Sequence, residues 1–166
     1  MLQNTNLKII IVFTALIGLL AACASSNDPA PVDECRSVSY DPGIVQQELN
    51  FGNCFIEKQE DNYVIEDSTE YAAIKSAFTQ SQFCESADFP VVDFSEYTLL
   101  AQWADGGGCS INFYNAVADV SESKEYLFTT TVQECGFCEM YGFSYNWVLV
   151  PKLPNDYTVR FQVKSI

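Results

Sequence analysis

The chain has 166 residues and a formal charge of −14, with 22 acidic against 8 basic side chains and no histidine. So acidic a surface is repelled by phosphate backbones, which argues against nucleic acid as a partner. Without histidine the chain lacks the usual general base of serine and cysteine hydrolases.

Residues 1–22 read as a leader. Lys8 lies in a polar start, an apolar run extends from Ile9 to Leu20, and Leu20-Ala21-Ala22-Cys23 follows. The run falls short of the roughly 20 apolar residues needed to span a bilayer and ends in small residues, as a cleaved signal peptide does. Leu20-Ala21-Ala22-Cys23 resembles the lipobox of bacterial lipoproteins. That resemblance implies diacylation of the Cys23 thiol, cleavage before it, and a membrane partner reached through covalent lipid (palmitate or similar chains). Two or three acyl chains hold a domain durably where one gives only marginal binding. Ala24, rather than aspartate, follows the anchor, and by the same resemblance the expected address is the outer membrane. Residues 23–34 form the anchor and a small, polar, proline-bearing spacer. Cleavage removes one basic residue and leaves 7 against 22, a formal charge of −15.

Residues 35–166 are expected to form one disulfide-stabilised, β-rich domain. Besides Cys23 it contains Cys35, Cys54, Cys84, Cys109, Cys135 and Cys138, an even set that reads as a disulfide framework in an oxidising compartment. The spacing around Asp41-Pro42-Gly43 marks a turn, with Ile44 to Leu49 as one or two helical turns. Two short strands follow, Cys54 to Glu57 and Tyr63 to Ile65. Asp67-Ser68-Thr69-Glu70 has capping-box spacing, and Tyr71, Ile74 and Phe78 recur on one stripe, which predicts an amphipathic helix covering a sheet. From Val91 onward, β-branched and aromatic residues predict strands near Val91 to Phe94, Thr98 to Trp103, Ser110 to Val117, Glu125 to Gln133, Phe143 to Val150 and Tyr157 to Val163. The fold class is therefore mainly β: an antiparallel sheet or sandwich with one amphipathic helix packed on it. Matching apolar faces across the hairpin at Val120 to Lys124 pairs Ile111 with Val132 and Phe113 with Thr130. That register brings Cys109 to the Cys135-Gly136-Phe137-Cys138 bend, so the preferred disulfide joins Cys109 to Cys135 or Cys138.

Few residues suggest chemistry. Cys135 and Cys138 have the C-x-x-C spacing of thiol oxidoreductases, but without the helix N-terminus that lowers a thiol pKa. With Cys109 they could bind zinc, yet an oxidising compartment and the lack of histidine disfavour it, and no metal or other cofactor is expected. Asp105-Gly106-Gly107-Gly108 lacks the alternating acids of a calcium loop. The acidic residues are scattered as solvated side chains are, so no catalytic residue is assigned and the chain is read as a non-enzyme. The candidate interaction surface is Trp103, Gly106, Gly107, Gly108, Phe137 and Tyr141, where disulfide-stiffened bends could present aromatics at low ordering cost.

Val92-Asp93-Phe94-Ser95, the strand Thr98 to Gln102, Gly106-Gly107-Gly108-Cys109-Ser110-Ile111, and Trp147-Val148-Leu149-Val150-Pro151-Lys152 with Val159-Arg160-Phe161 resemble the C-terminal domain of the PrcB type over about residues 91–163. That family is named for a lipoprotein subunit that stabilises a surface protease complex. The resemblance implies a small, mainly β, non-catalytic domain that binds or steadies an envelope protein or protease. Cys109, Cys135 and Cys138 are additions to the general pattern. The alternatives are a protease inhibitor or small-ligand-binding module, and a thiol oxidoreductase using Cys135 and Cys138.

Overall fold

The structure is a computed structural model that describes residues 35–51, 60–80 and 89–166. Cys23, Cys54, Cys84 and the expected strand Cys54 to Glu57 lie outside the described residues. The domain belongs to a compact unit spanning Asp33–Ile166. Its elements in order are β1 (Gln47–Leu49), β2 (Asn62–Ile65), α1 (Ser68–Gln80), β3 (Tyr97–Gly107), β4 (Ser110–Val120), β5 (Glu125–Cys135), β6 (Tyr141–Pro151) and β7 (Thr158–Ser165). A four-stranded sheet has the order β1-β6-β3-β2, and a three-stranded sheet the order β4-β5-β7.

Two stretches explain the layering. Leu99-Leu100-Ala101 and Trp147-Val148-Leu149-Val150 are almost completely buried at every position. Because successive strand side chains point to opposite faces, such continuous apolar runs require a cover on both sides. One face of the first sheet, with Leu99, Ala101, Trp147 and Leu149, packs with Phe51 and with Tyr71 and Phe78 of α1. The other, with Leu100, Val148 and Val150, packs with Val117, Tyr126 and Phe128 of the second sheet. The molecule is thus a helix on a sheet on a sheet. Further along the sheet-to-sheet face the contact turns polar. Asn115 accepts from Thr130 Oγ1 at 3.1 Å, and Asn146 Nδ2 donates to the Gln102 carbonyl at 3.2 Å. Gln102 satisfies its surroundings with its amide nitrogen towards Thr130 Oγ1 (3.0 Å) and Gln162 O (3.2 Å) and its amide oxygen accepting from Gln162 N (3.1 Å). Buried amides leave few alternatives for sliding one sheet over the other, since any shift strands unpaired polar groups.

Among the described residues the mainly β fold with one helix is as the sequence predicts, with several local differences. Asp67 caps α1, its Oδ1 accepting from Thr69 N (2.7 Å) and Glu70 N (2.9 Å). Glu70 turns back to Glu66 N instead of the cap residue. Val91 to Phe94 is not a strand. Asp93 Oδ1 accepts from both N and Oγ of Ser95, and Asp93 O accepts from the amides of Glu96 and Tyr97, so a side-chain-closed turn wins over the extended pattern. The bonds from Ser95, foremost that from its hydroxyl, hold the Asp93 carboxyl below its ordinary pKa. Ile44 to Leu49 is not helical either: Gln47–Leu49 pairs antiparallel with Trp147–Leu149. In the β4–β5 hairpin Ile111 faces Glu134 and Phe113 faces Val132, a two-residue shift from the expected register. A shift of two keeps every side chain on its face, so periodicity cannot detect it. The turn decides, closing over Ser121–Lys124 with Lys124 at φ 54°.

The last strand departs from a purely antiparallel arrangement, for β7 runs parallel to β5. The path leaves no alternative. The chain climbs β5, descends β6 in the other sheet, and re-enters the second sheet from the end where β5 began.

The segment before β1 straps the two sheets together at one edge. Ile44 N donates to Val117 O (2.9 Å), Val117 N to Pro42 O (3.1 Å) and Gln46 N to Leu149 O (2.9 Å). Gly43 lies between them at φ +66°, and a Cβ there would sit 2.1 Å from Val117 O. Gly43→Ala should therefore cost about 1–3 kcal/mol, read as a lower urea midpoint with an unchanged slope. A midpoint equal to wild type would show that the strap does not hold as described.

Candidate functional site

The long strands β3 and β6 converge, with the ends of β4 and β5, on one end of the sandwich. Cys135 bonds to Cys35 and Cys138 to Cys109, with Cα separations of 5.3 and 4.6 Å. Of the two expected partners for Cys109, Cys138 is the one found. Cys135 and Cys138 are bonded to different cysteines, not to each other; Cys135 ends a strand and Cys138 lies in the bend after it. The Cys35 pairing closes a loop of 100 residues, and the loop-entropy model assigns such a bond about 4–5 kcal/mol. It also makes the start of the domain part of this end.

The glycine run serves close packing. Gly106 and Gly142 face each other across β3 and β6. A Cβ on Gly106 would meet Glu134 Oε1 and Val132 Cγ1 at 2.8 Å, and one on Gly142 would meet Ile111 Cδ1 at 2.9 Å. Both glycines thus admit side chains of the second sheet against the first. Gly107 N donates to Glu134 Oε1 (2.6 Å), Gly108 N to Met140 O (3.0 Å), and Cys109 N to Cys135 O (2.6 Å). Gly106 and Gly108 are buried and Gly107 partly so. These three glycines form the floor of the end rather than its surface, a correction to their place in the expected interaction set.

The other face of the same strands carries a strip of rings. Phe143 stacks on Trp103 with centroids 4.8 Å apart and planes 18° apart, Tyr145 meets Trp103 edge-on at 4.9 Å, and Tyr141 approaches Phe143 at 6.3 Å. The strip continues inward through Tyr63 to Trp147. Exposure grows along it, from 3% at Trp147 to 40% at Phe143 and 66% at Tyr141. The sequence signal was an aromatic at every second position of Tyr141-Gly142-Phe143-Ser144-Tyr145-Asn146-Trp147, which marks one face of a strand. Phe143, which that alternation places on the same face, joins the strip beside the expected Trp103 and Tyr141. Beyond the strip, the bend between β5 and β6 presents Phe137, fully exposed at 103%, and Met140 at 60%. The expected surface therefore divides in two: Trp103 and Tyr141 belong to the strip, and Phe137 to the apex.

Asp105, Glu134 and Glu139 are exposed carboxylates of the same end, and Asp105 borders the ring strip at Tyr141. Among the described residues no cluster of three or more metal-ligating side chains occurs. No family model matches this chain, and neither the curated proteins nor the solved structures contain a match.

The Tyr141 hydroxyl donates to Asp105 Oδ2. That bond raises the phenol pKa above its ordinary value of 10.0, with burial and the Asp105 charge adding to the shift. A raised folded-state value means the contact is intact up to the ordinary phenol pKa and is lost as pH rises through the folded one. Tyrosine-selective 13C NMR should find Tyr141 titrating above the ordinary range and Asp105→Ala returning it there. An unchanged Tyr141 titration in the variant would contradict the contact.

Proposed function

We infer that this chain is a lipid-anchored, non-catalytic module of the bacterial envelope that works by binding another protein through the strip of Trp103, Tyr141 and Phe143. The observation that carries the reading is the strip itself. Large rings stacked on one another and on a strand pair lose little conformational freedom on binding, and aromatics in such settings dominate interface energetics. Three features of the sequence support the rest: the Leu20-Ala21-Ala22-Cys23 lipobox pattern, the absence of histidine from the whole chain, and the likeness of residues 91–163 to the PrcB C-terminal domain. On that likeness the partner is an envelope protease or its assembly. The acidic charge of the domain, with Asp105 beside the rings, favours a partner with a basic rim, through faster encounter and rejection of acidic competitors.

A photo-crosslinker placed at Tyr141 in the full chain, expressed in its native membranes, should trap one reproducible partner. The same group at Glu122, in the far β4–β5 turn, should trap none. Phe143→Ser should weaken the complex by about 30-fold, the loss of one hot-spot aromatic of about 2 kcal/mol. Recovery of monomer alone from both positions would refute the binding role. Inhibition of proteases by the purified protein, with no complex trapped in membranes, would move the reading to an inhibitor.

A further inference from the structure

The disulfide between Cys35 and Cys135 fixes where the domain is leashed. Cys35 is held with its Cα 5.3 Å from that of Cys135, and Cys135 leads directly into the bend that bears Phe137 and Met140. Cys35, the residue of the described domain nearest in sequence to Cys23, therefore sits beside the apex. Eleven residues separate Cys23 from Cys35, and a chain of that length reaches at most about 40 Å. The opposite turn, Ser121–Lys124, is a further eleven strand residues away along β4, roughly 35 Å at the rise of a β-strand.

We propose that the apex, Phe137 and Met140, rests in the interfacial region of the bilayer that holds Cys23, so that the domain stands on the membrane with its far turn outermost. The proposal rests on the reading of Cys23 as a lipidated anchor. Two side chains would not hold a free protein to a membrane, but a short leash turns their contact into an intramolecular one at an effective concentration on the order of millimolar. The bend is fixed at both shoulders, Cys135 to Cys35 and Cys138 to Cys109, so the two apolar groups are presented without further ordering. Phe137 has no cover from the described residues. The neighbouring carboxylates of Asp105, Glu134 and Glu139 are repelled by anionic headgroups, which selects a zwitterionic lipid surface. In this posture the ring strip of Trp103, Tyr141 and Phe143 stands just above the bilayer, which restricts its protein partner to one whose contact site is membrane-proximal.

The test uses the full chain, purified with its acyl chains and reconstituted in phosphatidylcholine vesicles with or without brominated phosphatidylcholine. Phe137→Trp and Glu122→Trp place a reporter at the apex and at the far turn, each read as the emission added to wild type. The apex reporter should be blue-shifted and quenched by brominated lipid at least about threefold more than the far one, as a ring seated at the headgroup boundary would be. Equal quenching at both positions, or none at the apex while the protein floats with the vesicles, overturns the posture and leaves the anchor intact. Failure to float overturns both. A blue shift that needs no vesicles and grows with protein concentration would place a second copy on the apex instead, which also overturns it.

Discussion

The fold depends on how closely its two sheets approach at the end where the chain crosses between them. At Gly106 and Gly142 the second sheet presses Val132, Glu134 and Ile111 against bare backbone. The chain passes between the sheets at that end twice, through Gly108-Cys109 and through the Gly136–Met140 bend, and the bond from Cys109 to Cys138 ties the two passages together. Interiors packed to crystal-like density tolerate no added methyl at such a point. Once the approach is set, the rest follows. The apolar runs in β3 and β6 are covered on both faces, the buried amides of Gln102, Asn115 and Asn146 find partners, and the strand faces beyond the helix contacts are left to carry exposed rings.

The same end gathers every feature that bears on function. The start of the domain is pinned there through Cys35, the ring strip emerges there, and the apex projects from it. On the proposed reading, a cross-linked sheet of this kind works by shape and surface. Its rings are positioned by strand alternation, its bend is fixed by two disulfides, and its exposed carboxylates make that end acidic. The membrane posture and the protein-binding role proposed above would divide the end between them, the apex meeting lipid and the strip meeting protein.

Much of the architecture was legible in the residues because it is written in period. The capped helix with Tyr71, Ile74 and Phe78, the strand at Tyr63 to Ile65, and five long strands after Thr98 all follow from spacing and turn chemistry. The parts that were not legible are those where a local or long-range bond competes with period. Asp93 looks like a strand residue until its carboxylate closes a turn on Ser95. Gln47–Leu49 has too few residues to show alternation and becomes a strand only because β6 offers an edge. The hairpin register was missed by two, a shift invisible to face matching. The pairing of Cys35 with Cys135 spans 100 residues, and no local signal indicates it. In the candidate site, alternation at Tyr141, Phe143 and Tyr145 marked the strip in advance, whereas the glycines suggested surface and turned out to be floor. Their role depends on what the opposite sheet brings, which no single strand reveals.

The central claim is that the leash, the apex and the sheet crossings are bound into one end by two specific disulfides. Peptide mapping of the protein under non-reducing conditions tests it most directly. The account predicts peptides that join Cys35 to Cys135 and Cys109 to Cys138. A peptide joining Cys135 to Cys138, or Cys109 to Cys135, would contradict it.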